Sequence, residues 1–219
     1  MRRIFLILVI VAAVAGLIVW IGLSFDFHSF FGKEQADQEA DQPTPAINTN
    51  VAATETDLQF KTIFRKNAWN PIKMDPVELK ELTELASETY ASPGKRMNAF
   101  LSPIEFESFA DVYIEDVKEA SRWQLQLALE GNLTPKKFLW VDDDRFLTIL
   151  GYAFGTTSPG GDVYLVDART GQGALWYKPG EYSEVTELKK EKGKIIMSVV
   201  RFDENYNQID SILEEAELP

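Results

Sequence analysis

Apolar and polar positions alternate in short runs through most of the chain. Residues 122–127 read RWQLQL and put Trp123, Leu125 and Leu127 on one face, the pattern of a half-buried strand. Residues 111–117 (DVYIEDV) recur 51 positions later as residues 162–168 (DVYLVDA). A weaker third copy runs through residues 192–200 (KGKIIMSVV) and continues to 209–213. Arg96, Arg145 and Lys194 are spaced 49 residues apart, twice. Each copy has one grammar: a polar turn (Ser92-Pro93-Gly94, Asp142-Asp143-Asp144, Lys192-Gly193), a strand, a variable loop and a second strand. Residues 174–178, with Trp176, are the counterpart of 122–127, and residues 138–141 and 184–188 read as short inner strands. The prediction is a mainly β fold built from about three repeats.

Two stretches depart from this pattern. Asp75-Pro76-Val77-Glu78 is a helix start, with Asp as cap and Pro at the first position, followed by Leu79, Leu82, Leu85 and Ala86 at helical spacing. Residues 4–23 carry neither charge nor Pro, and as a helix they reach about 30 Å, the thickness of a bilayer's hydrocarbon layer. Arg2 and Arg3 precede that run and acidic residues dominate beyond it, which places the N-terminus in the cytoplasm and the rest outside. A cleaved signal peptide has a shorter apolar region and a small-residue cleavage site, for which Gly22-Leu23-Ser24 is a poor match, so an uncleaved anchor is expected. Residues 25–31 (FDFHSFF) suit the membrane interface, and His28, the only histidine, reads as an interfacial residue there. Residues 33–57 are rich in Gln, Asp, Glu, Thr, Ala and Pro without an aromatic, the composition of a flexible tether. The expected organisation is a cytoplasmic N-terminus (1–3), a transmembrane helix (4–23), an interfacial segment and disordered acidic linker (24–57) and an extracytoplasmic β-repeat domain (58–219). Within 58–219, residues 58–65 read as a strand or as an irregular segment packed on the domain.

Composition narrows the chemistry. There is no Cys, which removes disulfides, thiolate metal sites, Cys nucleophiles and lipidated-cysteine anchors together and suits a bacterial envelope that does not rely on disulfides. The net charge is -12, so nucleic acid and other phosphate-rich partners are repelled. With no His beyond residue 28, the usual serine-hydrolase triad is excluded from the domain. No cofactor and no metal site is expected.

Ser92-Pro93-Gly94-Lys95-Arg96, Ala99-Phe100 and the following Asp111-Val112-Tyr113-Ile114 resemble the repeat of TolB-type (WD40-like) β-propellers. The larger ordered set is similar to a bacterial family known as domain of unknown function 4652. That set comprises Asn70-Pro71, Ser92 to Lys95, Ser102-Pro103-Ile104-Glu105-Phe106-Glu107, Gly151-Tyr152-Ala153, Gly155-Thr156 and Gly160-Gly161. The resemblance covers about residues 67–215 and implies a fold rather than an activity. Propellers have four to eight blades, whereas three copies are present here, the last incomplete. The expectation is therefore a partial β-propeller, or blade-like antiparallel sheets, with the N-terminal segment covering an open edge.

The glycine-rich stretch GYAFGTTSPGG (151–161) lies between two strands, lacks a Gly-Lys-Ser/Thr and precedes no helix, so it reads as a hairpin connection, with Gly supplying positive φ, rather than a phosphate loop. Three variable loops, 103–110, 152–161 and 202–208, occupy one place in the repeat and so project from one end. They would share a rim carrying Glu105, Glu107, Tyr152, Thr156, Thr157, Glu204 and Tyr206, a mixture able to hold a cation or a sugar-like ligand. Asp142-Asp143-Asp144 lacks the spacing of a calcium loop and reads as a solvated turn. Glu105 with Glu107, or Glu115 with Asp116, would be a carboxylate pair for glycoside cleavage, but acidic residues are abundant and nothing in the sequence fixes a separation. Trp123, Trp140 and Trp176 read as core, and residues 213–218 as a solvated acidic end. No catalytic residue is assigned. The expected function is a non-enzymatic binding module for a ligand or an envelope protein. The alternatives are a carboxylate-dependent hydrolase of envelope polymers and a structural part of an envelope complex.

Overall fold

The computed structural model describes residues 58–155 and 158–219. The predicted anchor and linker (residues 1–57) and residues Thr156 and Thr157 lie outside the described residues. Among those described, no helix is long and apolar enough to cross a membrane.

Among the described residues, thirteen strands form three antiparallel sheets. The first contains β2 (Phe64–Ala68), β3 (Tyr90–Ala91), β4 (Met97–Ser102), β5 (Asp111–Asp116) and β6 (Ser121–Leu127), in the order β2-β6-β5-β4-β3. The second contains β1 (Lys61–Thr62), β7 (Leu133–Trp140), β8 (Arg145–Tyr152), β9 (Asp162–Asp167) and β10 (Gln172–Tyr177), in the order β1-β10-β9-β8-β7. The third contains β11 (Ser183–Glu191), β12 (Lys194–Phe202) and β13 (Gln208–Glu217) in sequential order. The 49-residue spacing now has a structural meaning, because Arg96, Arg145 and Lys194 stand at the starts of β4, β8 and β12, the second strands of the three sheets. The N-terminal segment covers outer edges, β2 pairing with β6 and β1 with β10.

Packing makes these sheets a stack. One core joins the first sheet (Met97, Ile114, Trp123, Leu125) to the second (Phe138, Trp140, Phe146). The other joins the second sheet (Leu147, Ile149, Leu165, Trp176) to the third (Val185, Ile195, Met197, Val199). β8 supplies both cores, Phe146 and Leu150 to one and Leu147 and Ile149 to the other. A strand buried on both faces reads as a continuous apolar run, which is why FLTIL breaks the alternation seen in β6. The indole N–H of Trp123 donates to the Ala168 carbonyl at 2.8 Å, and that of Trp140 to the Tyr90 carbonyl at 2.9 Å, so both rings bridge the first two sheets.

Two expectations are corrected. Residues 213–218 are not a solvated end: β13 runs to Glu217, with Glu214 and Ala216 buried and the Tyr177 hydroxyl donating to the Glu214 carboxylate. The inner strand expected at 138–141 begins earlier, at Leu133, and accommodates Pro135 where the β7–β8 register shifts. The predicted helix is present as α1 (Pro76–Glu84), its N-terminus capped by Asp75, whose Oδ1 accepts the Val77 amide at 2.8 Å.

The turn end of the stack is closed by charge. Asp116 is fully buried beneath two arginines, with its Oδ2 lying 2.8 Å from Arg169 Nη2 and 3.4 Å from Arg96 Nε. Asp144 holds Arg169 from the other side at 3.0 Å, and Asp143 accepts the Gly94 amide at 2.7 Å. The triple-Asp turn is solvent-accessible, as expected, and also clasps the first two sheets together. Burial opposes ionisation of Asp116, but the Glu119 amide and then the two guanidiniums outweigh it and hold the carboxyl below the usual range. A depressed carboxyl pKa contributes stability above its unfolded value, about 3.9, and that contribution disappears as pH falls through the folded value. Asp116→Asn is expected to cost about 2 kcal/mol at pH 7, the arginines being one-third exposed and therefore screened, and progressively less as pH falls below the ordinary carboxyl range. Thermal melts of both proteins across pH 2–7 check this, and parallel curves would contradict it.

Candidate functional site

The loop end is built differently. The β4–β5 loop (103–110) is anchored by three hydrogen bonds to two elements, α1 and β7: the Ile104 amide donates to the Leu85 carbonyl just after α1 at 2.8 Å, the Ser102 hydroxyl to the Leu82 carbonyl at 2.7 Å, and the Ala110 amide to Thr134 Oγ1 of β7 at 2.8 Å. Inside the loop the Ser108 hydroxyl donates to the Glu105 carbonyl at 2.9 Å. Glu107 adopts a positive φ of 57°, a conformation a non-glycine residue holds only where its surroundings impose it.

The β8–β9 loop (153–161) is held by β11 and β7. Glu184 accepts the Ser158 hydroxyl at 2.6 Å through one carboxylate oxygen and the Gly160 amide at 2.9 Å through the other. Gly161 and Val185 exchange both backbone hydrogen bonds at 3.0 Å. Lys136 donates its ammonium to the Ser158 carbonyl; burial lowers its pKa, and the nearby Glu184 carboxylate opposes that. The glycines serve close approach more than turning: a Cβ on Gly151 would lie 1.8 Å from the Gly160 carbonyl oxygen, and one on Gly160 2.1 Å from that of Val185. Only Gly155, at φ 105°, uses the freedom that glycine has. The stretch is a hairpin loop, as expected, with no helix following it.

Between the two loops lies an open concavity of about 340 Å³, lined by Glu105, Phe106, Glu107 and Ser108 on one side and by Tyr152, Ala153, Gly155 and Ser158 on the other, with Thr134, Pro135 and Lys136 at its floor. That volume is at the lower end for small-molecule pockets and fits one ring or one side chain. Two of its aromatic lining residues are exposed, Phe106 at 71% and Tyr152 at 59%, while Phe109 and Phe154 of the same two loops meet edge to face at 5.1 Å outside it. Apolar side chains gathered at a loop end in this way mark binding surfaces more often than scattered ones do.

Three predicted rim residues, Glu105, Glu107 and Tyr152, therefore meet in one cavity. Tyr206 does not join them. It lines a second concavity, of about 270 Å³, with Tyr182, Ser183, Glu184 and Phe202, and its ring meets Tyr182 at 5.9 Å. Glu204 is exposed in the β12–β13 hairpin, where Asp203 accepts the Asn205 and Asn207 amides at 2.8 Å each. Glu184 connects the two concavities, since it lines the second and holds Ser158 of the first. Glu184, Lys136, Ser158 and the exposed Phe106 are residues of this region that the sequence reading does not single out. Glu115 does not pair with Asp116 but with Arg122 across β5 and β6. Among the described residues no group of three or more His, Cys, Asp or Glu is placed to hold a metal ion.

The sequence profile of the family described as domain of unknown function (DUF4652) matches residues 37–217, and the chain belongs to that family. No curated protein matches the chain. Among solved structures it is similar to a candidate conserved lipoprotein from Clostridium novyi NT, with 24% identity, a TM-score of 0.64 and coverage of 73% of this chain and 99% of that one. A lesser likeness, with a TM-score of 0.37 and 17% identity, covers 60% of this chain and 40% of the β-propeller domain of the Trilobed protease from Pyrococcus furiosus.

Proposed function

We propose that this chain is a membrane-anchored, extracytoplasmic binding module without catalytic activity, whose ligand or protein partner seats between the β4–β5 and β8–β9 loops. The observation that carries the reading is the concavity of about 340 Å³ with Glu105, Glu107 and Tyr152 on its walls and exposed aromatics at its rim. Both loops are fixed by hydrogen bonds from other elements, so a ligand would meet surfaces already in place and lose less ordering entropy on binding. The three sheets, each a consecutive antiparallel meander, support a reading as blades of a partial propeller with binding loops gathered at one end. The similar Clostridium protein, a candidate lipoprotein, supports an envelope location. This chain has no Cys to carry a lipid, and residues 4–23 supply the alternative anchor.

The test uses the full chain in non-ionic detergent and a thermal-shift screen of sugars, amines, cations and envelope peptides. A ligand at about 100 times its Kd should raise the melting temperature by about 5–11 °C. Glu105→Ala and Tyr152→Ala are expected to melt within about 2 °C of the unliganded parent and to lose that shift. Variants that keep the full shift would remove the site from the reading. Release of sugars or peptides from cell-wall material, lost in Glu105→Ala, would assign the same cavity to a hydrolase instead.

A further inference from the structure

The second concavity, of about 270 Å³, holds an arrangement that connecting two strands does not require. It lies between the β10–β11 connection, which carries Glu181 and Tyr182, and the β12–β13 hairpin, which carries Tyr206. Tyr182 has a φ of 56° and Tyr206 one of 61°. The left-handed region suits glycine and asparagine, and a bulky side chain there is an outlier. Among the described residues six non-glycine residues adopt a positive φ, and the two aromatic ones meet ring to ring. Both rings are exposed, so core packing does not explain why tyrosine stands at both turns. Hydrogen bonds fix the two backbones: the Phe202 amide donates to the Tyr182 carbonyl at 2.8 Å, and the Tyr206 amide to the Asp203 carbonyl at 2.9 Å. Strain of this kind gathers at ligand clamps, where the aim of a side chain outweighs its cost.

The lining defines the chemistry. The two tyrosine rings stand at 69° with centroids 5.9 Å apart, and Phe202 adds a third aromatic. Ring surface in more than one plane suits a compact group better than a flat one. Glu181 and Glu184 contribute two carboxylates. Each oxygen of Glu184 already accepts a hydrogen bond, from the Ser158 hydroxyl at 2.6 Å and the Gly160 amide at 2.9 Å, so what it offers a ligand is chiefly negative charge. Aromatic faces together with carboxylates are what a quaternary ammonium needs, since that group carries a positive charge and no hydrogen-bond donor. The chain's net charge of -12 draws such cations in and repels a phosphate carried beside them, which favours a free cation over a phosphocholine headgroup.

We propose that the concavity of Tyr182, Phe202 and Tyr206 binds a small, free quaternary ammonium compound, at a site separate from the one between the β4–β5 and β8–β9 loops. Isothermal titration of the full chain in non-ionic detergent tests this, with choline chloride as the probe and sodium chloride at equal concentration as the reference. Choline should bind with a Kd of about 1 mM or tighter. Its uncharged carbon isostere, in which a tert-butyl group replaces the trimethylammonium, should bind at least about tenfold more weakly. Phosphocholine should also bind more weakly than choline, because its phosphate meets the two carboxylates. Tyr206→Phe keeps the ring face and should stay within about threefold of the parent. Tyr206→Asn, with a side chain that tolerates positive φ, should weaken choline at least about tenfold while melting within about 2 °C of the parent. Glu105→Ala and Tyr152→Ala, in the first concavity, should leave choline binding unchanged, so this inference and the function proposed above stand or fall separately. No saturable binding up to about 20 mM choline, or equal affinity for the carbon isostere, overturns the proposal. Binding lost in Tyr152→Ala but kept in Tyr206→Asn overturns it by assigning the cation to the first concavity. Phosphocholine binding tighter than choline overturns it as well and assigns the site to a lipid headgroup.

Discussion

Phe146→Ala is expected to cost about 4 kcal/mol and to lower the melting temperature by about 8–16 °C. Phe146 is fully buried at the start of β8. Its ring stacks on Phe138 at 4.4 Å, meets Trp140 edge to face at 5.9 Å and lies 6.4 Å from Phe64 on β2. Those partners sit on two strands of different sheets, β7 and β2, so the vacated volume has no single side chain that can fall into it, and the cavity term adds to the lost transfer energy. Leu175→Ala, on β10 but exposed, is the control and should fall within about 0.5 kcal/mol of the parent. Calorimetry of the full chain in detergent measures both. A loss below about 1.5 kcal/mol for Phe146→Ala would mean that the first two sheets do not share the core described.

What could be read from sequence followed from how each strand meets water. Trp123 and Leu125 alternate with polar partners because β6 has one face on a core, and the DVY copies at 111 and 162 recur because β5 and β9 do the same task in successive sheets. The C-terminal half of β13, residues 213–217, reads as a solvated end for the opposite reason. It is an edge strand, and Asp210, Glu215 and Glu217 on it face Arg201 and Lys194 across the sheet. Charge placed to protect an edge looks locally like a solvated end. The candidate site was legible as far as each loop was local. Glu105 and Glu107 belong to one hairpin and Tyr152 to the next, and the repeat put both at one end. The link from Ser158 to Glu184 spans 26 residues and that from Lys136 to Ser158 spans 22, so no short-range pattern reports them. The third loop was expected on the same rim but belongs to the third sheet, and its Tyr206 faces Tyr182 in a concavity of its own.

Gly161→Ala is expected to cost about 3 kcal/mol, or about 6–12 °C, and to open the candidate site as well. The Cβ would sit 2.0 Å from the Leu150 carbonyl oxygen and 2.7 Å from the Gly151 Cα, both backbone atoms of β8 that cannot swing aside as a side chain would. Relief requires Gly161 to move outward, and that breaks the paired hydrogen bonds with Val185, which among the described residues are the only backbone bridge from the second sheet to the third. Glu184, adjacent to Val185, would then lose its grip on Ser158 and Gly160, and the β8–β9 wall of the cavity would loosen. Gly155 supplies the contrast. Nothing lies within 4 Å of its would-be Cβ, so Gly155→Ala meets only the unfavourable φ of 105° and should cost about 1 kcal/mol. The order of the two melting temperatures separates close backbone approach from turn geometry as the reason for this loop's glycines. Faster amide exchange at Val185 in Gly161→Ala, with β4 and β5 unchanged, would locate the damage at the bridge. Equal losses in the two variants would mean that turning the chain, not its closeness to β8 and β11, is what the glycines provide.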